Sequence, residues 1–97
     1  MNHLTSQIEE AVASVDFGTA SARKRGRNPD YPYVPVIERP NGTTSNPVRG
    51  RAYATRTEAV AAAQRQIDGR RRQLSDQLAQ PRYRALREAY GLPRELD

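Results

Sequence analysis

The chain contains no cysteine, which excludes disulfide bridges and thiolate-bound metals. Histidine occurs once, as His3, so neither a catalytic triad nor an imidazole metal cluster can be assembled within one chain. No apolar run approaches the roughly 18 residues that a bilayer span needs. Met1-Asn2-His3-Leu4 lacks a basic region followed by an apolar stretch, so no secretory signal is expected and a cytoplasmic address follows. Large apolar side chains are scarce: leucine, isoleucine, valine and phenylalanine together number sixteen of 97 residues. A chain so short and so poor in them is expected to be one small domain with a thin core. Thirteen alanines permit close helix packing, but each buries little area.

Motifs for catalysis are also missing. Walker loops and dinucleotide fingerprints do not occur, and Gly42 and Gly50 stand isolated. Glu9 and Glu10 are adjacent, so on a helix they diverge instead of converging on a substrate. The chain is therefore expected to be no enzyme and to carry no cofactor.

What is present is arginine, fifteen residues against one lysine, with a formal net charge of +5. The charge is uneven. Residues 1–22 carry three acids and no base, residues 23–56 carry eight bases against Asp30 and Glu38, and residues 57–97 carry eight bases against six acids. The central segment holds the strongest positive field, which attracts nucleic acid or acidic protein.

Ser6-Gln7-Ile8-Glu9 has the form of a capping box, followed by Ile8, Ala11, Val12 and Val15 at helical spacing. This predicts a short amphipathic helix within residues 1–17, with Glu9 and Glu10 in its first turn and Asp16-Phe17-Gly18 at its end. Residues 18–30 have no apolar period and read as a basic linker or mobile arm. Residues 31–97 form the remainder, a hairpin plus a helical unit. Tyr33 to Ile37 reads as an extended segment, with Pro32 and Pro35 assigning it to a sheet edge. Its partner is Val48 to Ala54, across the loop Pro40–Pro47. Thr55-Arg56-Thr57-Glu58 is a second capping box. It opens a helix running to Ala79, with Val60, Ala63, Ile67, Leu74 and Leu78 as its apolar seam and Arg70 and Arg71 at the missing step. Asp68-Gly69 weakens that helix without breaking it, since Asp68 suits Arg72 at i, i+4. Pro81 opens a last short helix with Tyr83, Leu86 and Tyr90 on one face, stopped by Gly91 and Pro93. The fold class is thus α+β, mainly helical: a short N-terminal helix, a two-stranded hairpin, a long helix and a short C-terminal helix.

Candidate binding residues follow from charge and alternation. Arg23, Lys24, Arg25 and Arg27 form either a flexible arm that follows a phosphate backbone or a solvated linker. Arg49, Arg51 and Tyr53 share one exposed strand face, able to meet phosphates and stack on bases, or form an ordinary exposed face. Arg70, Arg71 and Arg72 either meet acids on another molecule or pair with Asp68 and Asp76 on their own helix. Tyr31 and Tyr33, set among prolines, offer a docking segment or pack onto the hairpin. The Val60–Leu78 seam is a candidate for homodimerisation.

The stretch Pro81-Arg82-Tyr83-Arg84-Ala85-Leu86-Arg87-Glu88-Ala89-Tyr90-Gly91-Leu92-Pro93 resembles the ends of small uncharacterised accessory proteins of actinobacterial phages, and the arginine- and alanine-rich composition is similar to that of a GC-rich coding source. The resemblance implies a viral protein in the cytoplasm of a bacterial host that binds host protein or nucleic acid, and it transfers no functional residue. The leading expectation is a small non-enzymatic protein that binds a host or partner protein. The alternative is a nucleic-acid-associated protein that holds the backbone of DNA or RNA.

Overall fold

The computed structural model describes residues 3–47 and 51–92. Its elements are α1 (His3–Ser14), β1 (Thr19–Lys24), β2 (Tyr33–Glu38), β3 (Thr44–Ser45), α2 (Arg56–Leu78), a 3-10 turn (Pro81–Tyr83) and α3 (Arg84–Ala89). The class is α+β and mainly helical, as the patterning predicts. Contacts gather into two units, residues 16–69 and residues 1–15 with 70–97. The division falls within α2, at the point where Arg70 and Arg71 interrupt its apolar seam.

In the unit of residues 16–69, the three strands form one antiparallel sheet in the order β1-β2-β3. Residues 18–30, expected as an arm without regular structure, contain β1. Alternation along β1 puts Ala20 and Ala22 on one face and Thr19, Ser21 and Arg23 on the other. Because the inward residues are alanines, the strand carries little hydrophobic signal. β1 pairs with β2 from Thr19 opposite Glu38 to Lys24 opposite Tyr33. β1 and β2 therefore form a hairpin that the patterning does not predict, and the expected pairing of Tyr33–Ile37 with Val48–Ala54 is seen among the described residues at one position. Of that expected partner strand, Val48, Arg49 and Gly50 lie outside the described residues, and Tyr53 makes an isolated antiparallel bridge to Tyr33.

β2 is consequently the central strand, although its prolines point to an edge. In an antiparallel strand both polar groups of a residue face the same neighbour. Tyr33 exchanges hydrogen bonds with Tyr53, so Tyr33, Pro35 and Ile37 all face that side, while Val34, Val36 and Glu38 face β1. The donor that Pro35 lacks is thus one that the β1 ladder never needs. On the other side, β3 reaches only Ile37 and Glu38. The β2–β3 turn closes with Arg39 N–H donating to the Thr43 carbonyl at 2.9 Å and Gly42 N–H donating to the Arg39 carbonyl at 3.0 Å. Gly42 adopts φ +84°, the left-handed conformation that a glycine accepts without a Cβ penalty.

Ile37, Ala63 and Ile67 form the buried core of this unit, with Phe17 and Ala20 packed against them. Ala59 and Ala62 are also buried on α2. α2 begins where its capping box predicts: the Thr55 hydroxyl accepts from Glu58 N–H at 3.2 Å and donates to the Glu58 carboxylate at 2.9 Å. The helix continues through Gly69 to Leu78, and within it Gln64 donates a side-chain hydrogen bond to Asp68 at 3.0 Å.

In the other unit, α1 starts before Ser6, so the first capping box lies inside the helix and Glu9 and Glu10 are not in its first turn. Its apolar face is as expected, with Ile8 and Val12 buried and Ala11 and Val15 half-buried. Leu74, Leu78 and Leu92 are the other buried apolar residues described in this unit. Gln80 is extended (φ −89°, ψ 135°), as a residue before proline tends to be, and Pro81 opens the 3-10 turn. α3 ends in a Schellman motif: Gly91, at φ +72°, donates to the Glu88 carbonyl at 3.0 Å, and Leu92 N–H donates to the Arg87 carbonyl at 2.9 Å. Pro93, the expected final stop, lies outside the described residues.

The C-terminal helix presents an unexpected side chain inward. Tyr83 and Leu86 are half-buried and Tyr90 is 36 % exposed, while Arg87 is fully buried. Its Nη2 donates to the Gln80 carbonyl at 2.7 Å. That carbonyl also accepts from Tyr83 N–H at 3.1 Å. The long aliphatic stem supplies the packing that leucine would give, and the guanidinium reaches the chain where it enters the 3-10 turn.

Candidate anion-binding groove

The basic run Arg23–Arg27 covers the end of β1 and the start of the β1–β2 turn. Arg23 is half-buried opposite Val34, and Lys24 is exposed opposite Tyr33. Arg25 and Arg27 are exposed in the turn itself. The turn is built by its own backbone. Tyr31 N–H donates to the Asn28 carbonyl at 3.0 Å, Asp30 N–H to the Asn28 side chain at 2.9 Å, and Gly26 N–H to the Pro32 carbonyl at 2.9 Å. Gly26 is required there, because a Cβ would collide with the Tyr31 carbonyl oxygen and lie 2.8 Å from Pro32 Cα.

Tyr53 brings a third arginine to this end of the sheet. Its bridge to Tyr33 anchors the chain just after Arg51, and the Arg51 guanidinium lies over the Tyr53 ring at 5.6 Å from its centroid. Arg25, Arg27 and Arg51 then share the wall of a concavity of about 580 Å³ with Asn28, Tyr31 and Val34. Val34 is three residues from Ile37, so the groove opens on the sheet face opposite the α2-packed one. None of the described residues lining it carries a carboxylate. Three arginines lining one concavity bring planar forks of donors of the kind that multiply charged anions accept from.

Other expected residues are placed elsewhere. Arg70, Arg71 and Arg72 are all exposed on α2, in the unit of residues 1–15 and 70–97. Arg49 lies outside the described residues. Ala63, Ile67, Leu74 and Leu78 are buried within the chain and Val60 is half-buried, so the seam does not stand open to a second copy. Tyr33, half-buried in β2, has a structural place, whereas Tyr31 is 50 % exposed on the groove. Asn28-Pro29-Asp30 is the signal that would have found the groove: it marks a turn between two strands and so places the basic run on a hairpin.

A second concavity, of about 390 Å³, is lined among the described residues by Gln7, Glu10, Ala11, Tyr90, Gly91 and Leu92, none of them basic. Among the described residues, no group of histidines and carboxylates is arranged to hold a metal ion, and no helix is long and apolar enough to cross a membrane. No protein-family model, curated protein or solved structure matches this chain, so the groove's chemistry rests on its own residues.

Proposed function

We propose that this is a non-enzymatic protein that holds the phosphate backbone of a nucleic acid in the groove between the β1–β2 turn and Arg51. The observation that carries the reading is that Arg25, Arg27 and Arg51 line one concave wall where none of the described lining residues is an acid. Phosphates take bidentate hydrogen bonds from guanidinium, and binding them releases condensed counterions. The net charge of +5 favours encounter with any polyanion. In the setting that the resemblance of Pro81–Pro93 implies, a small phage accessory protein in a bacterial cytoplasm, the ligand is host or phage DNA or RNA.

The test is fluorescence anisotropy with a labelled oligonucleotide over a range of salt concentrations. Affinity should fall log-linearly with salt. Arg25→Gln, Arg27→Gln and Arg51→Gln should each weaken binding and reduce the slope by about 1. Affinity that is independent of salt, or unchanged in all three variants, overturns the reading.

One observation favours a second reading. Arg70, Arg71 and Arg72 form a continuous exposed basic run, suited to an acidic surface on a host or partner protein. Recovery of a protein from host lysate that survives nuclease treatment and is lost on replacing this run by glutamine supports that reading.

A further inference from the structure

Resting on the reading above, we propose that the groove takes single-stranded nucleic acid, with one base stacked on Tyr31 and the adjoining phosphates on Arg25, Arg27 and Arg51. Tyr31 is the most exposed of the large hydrophobic side chains described, at 50 %. Its backbone is held from several sides. Its N–H donates to the Asn28 carbonyl at 3.0 Å, Pro32 restricts it from the next position, and the missing Cβ of Gly26 lets its carbonyl approach closely. An aromatic ring left half in water on an ordered backbone, inside a wall of guanidiniums, has the makings of a stacking platform. A base in a duplex already stacks on both neighbours and has no free face to offer. A concavity of about 580 Å³ is also of nucleotide scale and not a cradle for a double helix.

The experiment compares four ligands on the full chain: an oligothymidylate, a duplex of equal length, inorganic polyphosphate of matched charge, and poly-glutamate. The oligothymidylate should bind most tightly. Tyr31→Leu should lower its affinity on the order of tenfold, leave polyphosphate affinity unchanged, and be rescued by Tyr31→Phe. Tyr90→Leu, which removes an exposed ring from the other unit, should change neither. Thermal unfolding of each variant at the wild-type temperature shows that the loss is local. If Tyr31→Leu leaves oligothymidylate affinity intact, or lowers polyphosphate affinity equally, the stacking role is overturned while the phosphate-binding groove stands. The same holds if the duplex binds as well as the single strand. If poly-glutamate binds better than all three phosphate ligands, or if no phosphate ligand binds, the groove reading itself fails.

Discussion

Tyr33 and Tyr53 exchange both of their backbone hydrogen bonds, at 3.1 and 2.7 Å, across twenty residues of chain. This pair ties Tyr53 to the sheet, and it positions the chain that carries Arg51 beside the turn that carries Arg25 and Arg27. The candidate groove is thus a product of strand pairing as well as of charge. Among the described residues, β2 is partnered on that edge by Tyr53 at Tyr33 and by β3 at Ile37 and Glu38.

Gly26 should be the most sensitive position of the turn. In Gly26→Ala the new methyl meets backbone atoms of Tyr31 and Pro32, which cannot rotate away. Stability should fall by about 1–3 kcal/mol, as in other overpacked sites. Chemical denaturation measures it, and weaker oligonucleotide binding should accompany the loss because the turn shapes the groove.

Thr55→Ala removes the acceptor for Glu58 N–H and the partner of the Glu58 carboxylate. The expected cost is about 1 kcal/mol, with Thr55→Ser retaining most of the stability. A lower thermal midpoint for the alanine variant but not the serine variant checks it.

Gly69 lies in the middle of α2, exposed, with nothing within 4 Å of a Cβ placed there. Gly69→Ala should therefore stabilise the protein by about 0.5–1 kcal/mol, since alanine loses less backbone freedom in a helix. A denaturation midpoint that does not rise would mean that the helix bends or opens at Asp68-Gly69.

Arg87 is buried and bonds the Gln80 carbonyl, so Arg87→Ala should cost about 1.5–3 kcal/mol for the charge-assisted bond, with lost packing in addition. Arg87→Lys should not restore it, because an ammonium lacks the planar fork. Urea unfolding of the three proteins reads the difference. Equal stability of the lysine variant would show that the position needs only a cation.

The long helix was legible in the sequence because its signals are local. Thr55 and Glu58 cap it within one turn, Ala63, Ile67, Leu74 and Leu78 recur at helical spacing, and Gly91 and Leu92 end the last helix through bonds to Glu88 and Arg87, three and five positions back. The apolar face of α1 was equally readable, although its start was misplaced at Ser6. Strand pairing was legible only in part: the approach of Tyr53 to Tyr33 follows from the two extended segments, but β1 hides its alternation in Ala20 and Ala22. Burial of Arg87 in place of the neighbouring tyrosines was also decided by tertiary structure, through a carbonyl at Gln80. Composition and local spacing determined a cationic, helix-rich chain with no cysteine and one histidine. Tertiary structure alone decided which three arginines face one groove, because that depends on partners distant in the chain.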